Sequence, residues 1–123
     1  MKQIILTLVT NGSGAATATA TETVIGKLYA ILYVPGSIDT GATLTVTCTD
    51  FQLAAKPLLT KASAGTANSW YYPRDLVHAV LDGAALTGTA GGDRTCPIIN
   101  GIPKATISAG DNSKLGYCVL YYE

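Results

Sequence analysis

His78 is the only histidine among 123 residues, so a Ser-His-Asp or Cys-His centre would have to be built around it, with Ser69, Asp75, Asp82 or Cys96 as partners. Such a centre needs nucleophile and base within hydrogen-bond reach and a third group to orient the base. Nothing in the spacing supplies that orientation, and His78 reads as a strand-face or surface histidine. A zinc site takes about four nitrogen or sulfur ligands. One histidine with Cys48, Cys96 and Cys118 falls short, and the cysteines have no CxxC spacing. They read as reduced, small apolar core residues. Gly12-Ser13-Gly14 lacks the Gly-Lys-Ser/Thr ending of a phosphate loop and the third glycine of a dinucleotide fingerprint. Asn11-Gly12-Ser13 matches a glycosylation acceptor only formally, because no secretion signal precedes it. Asp39, Asp93 and Asp111 stand in glycine-containing loops without the clustered carboxylates of a calcium site. The reading is a chain with no catalytic residue, no cofactor and no metal.

The chemistry that remains is contact chemistry. Trp70-Tyr71-Tyr72-Pro73-Arg74 joins three aromatic rings to a guanidinium, and the chain closes on Tyr121-Tyr122-Glu123. Such residues stack sugars or bases, and they are also the types enriched where proteins bury one another. Packing in a core or an interface is the simpler account. On the terminal strand the two tyrosines face opposite sides, one of them towards another chain.

The elements that must carry these residues are short strands. Ala42 to Thr49 alternates strictly, with Ala42, Leu44, Val46 and Cys48 on one face and threonines on the other, the mark of a half-buried antiparallel strand. Gly26 to Val34 is expected to turn Leu28, Ala30, Leu32 and Val34 inward, leaving Lys27, Tyr29, Ile31 and Tyr33 on a second face that wants a partner. Pro35 to Gly41 connects these two as a hairpin or corner. Lys2 to Thr10 reads as a first strand, since it is too short and too β-branched for a signal peptide. Ala15 to Thr23 alternates Ala with Thr until Glu22, a low-bulk strand pattern that suits an edge or a place against a neighbouring chain. Phe51 to Thr60 is a strand broken or bulged at Pro57, 61–68 a loop, and 75–81 a strand. Asp82 to Thr95 reads as a long exposed loop. Asn100-Gly101 signals a hairpin between Cys96–Ile99 and Ile102–Ser108, and a turn over 109–114 delivers a last strand, Leu115 to Tyr122. Seven to nine strands at intervals of about ten residues predict an all-β, single-domain antiparallel β-sandwich, jelly-roll-like, over residues 1–123.

Composition narrows the partners. Eight basic and eight acidic residues leave no net charge, and 13% charged residues is about half the usual 25%. A nucleic-acid binder working through a basic patch is excluded. No window approaches the ~20 apolar residues of a membrane span. The surface must be covered by Thr, Ser, Gly, Ala and Tyr.

Trp70-Tyr71-Tyr72-Pro73-Arg74, Val77-His78, Gly83-Ala84-Ala85, Pro97-Ile98-Ile99-Asn100-Gly101, Lys104, Gly110-Asp111 and Tyr121-Tyr122-Glu123 together resemble small virion structural proteins of tailed bacteriophages, of the capsid decoration (cement) or minor head type. The resemblance covers residues 20–123 and implies a protein made in the host bacterial cytoplasm and carried on the capsid surface. It further implies a homotrimer that bridges subunits of the major capsid protein by buried surface, without turnover. On that reading Trp70, Tyr71, Tyr72, Arg74, Tyr121 and Tyr122 are the candidates for the contact between copies. Ile4, Leu6, Thr17, Thr19 and Thr21, on flat and small-residue strands, are the candidates for contact with the capsid. The alternative is a tail- or neck-associated module that binds a receptor or carbohydrate through the Asp82 to Thr95 loop and Trp70 to Tyr72.

Overall fold

The computed structural model describes residues 1–49, 55–76 and 94–123. Its elements are β1 (Lys2–Val9), β2 (Ala16–Thr19), β3 (Val24–Val34), β4 (Thr43–Thr49), β5 (Ala55–Lys61), β6 (Ser69–Tyr71), β7 (Asp75–Leu76), β8 (Arg94–Thr95), β9 (Ile98–Ser108) and β10 (Leu115–Tyr122). No helix occurs among the described residues, and every strand pairing among them is antiparallel. His78, Asp82, Asp93, the expected strand beyond Leu76 and most of the 82–95 loop lie outside the described residues.

Two four-stranded layers make a β-sandwich. The first runs β1-β10-β3-β6 and the second β2-β9-β4-β5, the two being joined where Val24–Lys27 of β3 pairs with Ile98–Gly101 of β9. Along one edge of β9, β3 pairs over residues 98–101 and β2 over 104–107, so the chain passes from the second layer to the first between β2 and β3. The layers enclose one core. Leu6, Leu8, Leu28, Ile31, Cys118 and Leu120 come from the first, and Ala16, Leu44, Val46, Cys48, Ala105 and Ile107 from the second. Alternation along β4 is as expected, with Leu44, Val46 and Cys48 inward and the threonines outward. Ile38, 1% exposed, plugs the end of the sandwich from the 35–42 connection.

Two expectations are corrected. Asn100-Gly101 makes no turn: β9 runs straight through it for 11 residues, with Asn100 opposite Ile25 and Gly101 opposite Val24. Gly101 is extended at φ 159, and the cross-strand partner supplied by β3 outweighs the local turn preference. In β3 the inward residues are Leu28, Ile31 and Tyr33, while Leu32 and Val34 are only half-buried. The register against β10 shifts between Tyr121 and Tyr122, which pair with Ala30 and Leu28, so Tyr29 is an extra residue. Such a bulge reverses which side chains point inward beyond it. Of the two forms expected for Pro35 to Gly41 the corner is the one found, since β3 and β4 lie in different layers and do not pair.

The arches at 10–15, 35–42 and 109–114 meet at one end of the sandwich and are tied by main-chain hydrogen bonds. Thr10 N–H donates to the Lys114 carbonyl at 2.9 Å, Gly110 N–H to Gly14 at 2.8 Å, and Asp39 N–H to Gly110 at 3.2 Å. Gly36, at φ 56, sits in the left-handed region against the Leu115 carbonyl, where a Cβ would have no room.

Candidate functional site

The outer face of the first layer is built from in-register rows. Ile5 of β1 lies opposite Val119 of β10, Val119 opposite Leu32 of β3, and Leu32 opposite Trp70 of β6. Beside that row run Thr7, Tyr117 and Val34 on one flank and Gln3, Tyr121 and Ala30 on the other, with Val9 opposite Leu115 beyond. The Trp70 and Tyr121 rings meet at 5.3 Å between centroids, tilted by 33°, within the range of a favourable aromatic pair. None of these residues carries a formal charge. Ile5 is 56% exposed, Val9 61%, Trp70 50% and Leu115 41%, whereas Val119 at 8% and Ala30 at 7%, on the two middle strands, are buried among their neighbours.

The six expected contact residues therefore divide. Trp70 and Tyr121 come together on the outer face, while Tyr71 and Tyr122 turn to the other side and pack half-buried against the core. Tyr72 is exposed, and the Arg74 guanidinium stands over its ring at 6.0 Å. Arg74 Nη1 also donates to the carbonyls of Tyr29 at 3.0 Å and Pro73 at 2.6 Å, which fixes the chain after β6 to the edge of β3. Leu32, Val34, Ile5 and Tyr117 are the members of this face that residue types alone did not single out. Their signal was in the last strand, where Leu115, Tyr117, Val119 and Tyr121 make a second apolar stripe opposite Cys118 and Leu120.

The second layer's outer face has different chemistry. Thr17 of β2 lies opposite Thr106 of β9, Thr106 opposite Thr45 of β4, and Thr45 opposite Thr60 of β5, a row of hydroxyls across the whole layer. Thr19, Lys104 and Thr47 form the next row, and Ser108 with Thr43 another. Thr106 Oγ1 donates to the Thr45 carbonyl at 3.4 Å. Thr17 and Thr19 thus stand exposed on a broad polar face carrying a single lysine in these rows. Ile4, Leu6 and Thr21, with Thr19 at the edge of that face, line a cleft of about 390 Å³ between β1 and the 18–22 stretch. Leu6 is 3% exposed and belongs to the core; its outward neighbour is Ile5.

Ionisable groups inside the molecule are few. The Tyr33 side chain is fully buried and its hydroxyl has no hydrogen-bond partner. Burial, with smaller contributions from Tyr71 and Cys118 nearby, pushes its pKa up to about 12. Burial likewise pushes the Cys118 thiol up to about 12, so it is an inert thiol at neutral pH. Cys48 and Cys118 are buried and Cys96 is half-buried. Asp39 and Asp111 do line one hollow among the arches. Their carboxylates serve the turns, Asp39 Oδ2 accepting from Gly41 N–H at 3.1 Å and Asp111 Oδ1 from Asn112 N–H at 2.7 Å. Among the described residues no three His, Cys, Asp or Glu side chains gather as a metal site.

No family model and no curated protein matches this chain. Among solved structures it is similar to the carbohydrate-binding module CBM32-3 from a family 31 glycoside hydrolase of Clostridium perfringens, at 11% identity and a TM-score of 0.37, over 92% of this chain and 78% of that one. A likeness so slight carries no argument about what this chain binds.

Proposed function

We propose that this chain is a virion structural protein of a tailed bacteriophage, a capsid decoration protein that attaches to the major capsid protein and stabilises the head by buried surface. The observation that carries the reading is two-sidedness. Among the described residues both broad faces of the sandwich are almost free of charge, one mostly apolar and aromatic, the other a ladder of hydroxyls. A tile in a closed lattice has to be covered on more than one side. Such coverage suits uncharged, β-branched and aromatic surfaces, because no strongly hydrated ion has to be stripped of water. The hydroxyl face, with Thr17 and Thr19 exposed on its β2 edge, is the side assigned to the capsid, since threonine hydroxyls accommodate a wet interface.

The test is the composition and architecture of purified particles of the phage that encodes the chain. The protein is expected in many copies on the head, and adding it to heads that lack it is expected to raise their resistance to heat. Its absence from the shell would refute the reading. Location at the tail, with binding of the isolated protein to immobilised glycan, would favour a receptor-binding module that uses Trp70 and Tyr72.

A further inference from the structure

The outer face of the first layer is large and mostly apolar and aromatic, with Gln3 and Thr7 along β1. Four strands about 4.8 Å apart and up to eight residues long at ~3.3 Å per residue cover roughly 400–500 Å² in projection. That is as large as the biggest apolar patch on an ordinary monomer, roughly 300–600 Å². Side-chain relief takes its accessible area towards the ~800 Å² that each partner buries in a standard interface. We infer that this face is covered by the same face of a second copy of the chain, sheet against sheet, about a two-fold axis.

Charge selects that occupant. In a two-fold contact residues close to the axis meet their own counterparts and the others meet in reciprocal pairs, so a lysine or carboxylate near the axis would face a like charge in a place without water. The rows Ile5-Val119-Leu32-Trp70 and Thr7-Tyr117-Val34 contain none. The backbone of β10 and of the Leu28–Val34 part of β3 is paired on both sides or along its length within the layer. The backbone therefore makes no hydrogen-bond demand on a cover, the polar groups of Gln3, Thr7, Tyr117 and Tyr121 pairing across the contact or with water at its rim, and the sheets can stack at the ~10 Å separation of packed sheets. A three-fold ring would have to place this face on a different surface of its neighbour. The inference does not rest on the virion reading: it follows from the size and chemistry of this face alone.

The chain's single tryptophan, Trp70, lies on this face and reports on it directly. Analytical ultracentrifugation of the full chain over a range of concentrations is expected to show a dimer, and Trp70 emission is expected to move to the red on dilution. Ile5→Lys should weaken the dimer at least 10-fold and hold the emission red at every concentration. Thr47→Lys, on the opposite face, should leave both unchanged. Leu115→Lys serves as a second probe, with circular dichroism confirming the fold of each variant. A wild-type chain that stays monomeric at high concentration would overturn the inference, as would a trimer, or a dimer indifferent to both lysines. Heads that fail to bind a chain that still dimerises would sink the virion reading alone.

Discussion

Replacing Tyr33 by phenylalanine isolates one oxygen atom. Tyr33 is fully enclosed, opposite Cys118 on the inward side of β3, and its hydroxyl finds no partner. A buried polar group left unpaired costs about 1–3 kcal/mol, whereas the phenyl ring fills nearly the same space. At neutral pH the Tyr33→Phe variant is therefore expected to match the wild type or exceed it by up to about 3 kcal/mol. For a chain of this size each kcal/mol is worth roughly 4 °C in melting temperature. Alkaline pH adds a second measurement. The folded protein holds the Tyr33 proton to about 12, while the unfolded chain releases it near the ordinary 10.0. The stabilisation is complete below pH 10 and is lost as pH rises towards 12, because the unfolded state then binds fewer protons. The loss approaches about 1.4 kcal/mol per pH unit between the two values and amounts to about 2 kcal/mol by pH 12. Cys118 acts in the same direction from its ordinary value of 9.0 upward, and its share remains in the variant. Urea midpoints at pH 7, 9, 10 and 11 read both effects. A variant more than about 1 kcal/mol less stable at pH 7 would show that the hydroxyl has a partner. A wild type and variant with parallel curves above pH 10 would show that Tyr33 is not the group that titrates.

Other substitutions separate the core from the faces. Leu120→Ala, at 0% exposure, should cost about 2–5 kcal/mol in denaturant melts, whereas Leu115→Ala, five residues away on the outer face, should stay within about 1 kcal/mol. Gly36→Ala puts a Cβ against the Leu115 carbonyl at a left-handed φ and should cost at least about 2 kcal/mol; an unchanged midpoint would mean the arch can move. Trp70→Ala removes the ring pair with Tyr121 and should weaken self-association in sedimentation far more than it lowers the melting temperature. The double variant Thr17→Lys, Thr60→Lys charges both ends of the hydroxyl row and should cut binding to phage heads at least 10-fold with the fold intact.

Period-two alternation in Ala42 to Thr49 and in Leu115 to Tyr122 was enough to place both strands and to say which residues share a face, because successive strand side chains must point to opposite sides. The β-sandwich class followed from the count and spacing of such segments. Which stripe of β10 is core and which is surface did not, since both are apolar. That is settled by Leu6 and Tyr33, which flank Cys118 in one row, and by Ile5 and Leu32, which flank Val119 in the other. The extra residue Tyr29 in β3 is a property of its pairing with β10, and it exchanged the expected roles of Leu32 and Ile31. In the same way Asn100-Gly101 carries a turn preference that only the neighbouring strand β3 overrides. Local sequence determines the period of each strand and the chemistry of its two faces. Register, bulges and the layer each strand joins depend on partners distant in the chain, so the uncharged face around Trp70 and the hydroxyl row from Thr17 to Thr60 exist only in the folded molecule.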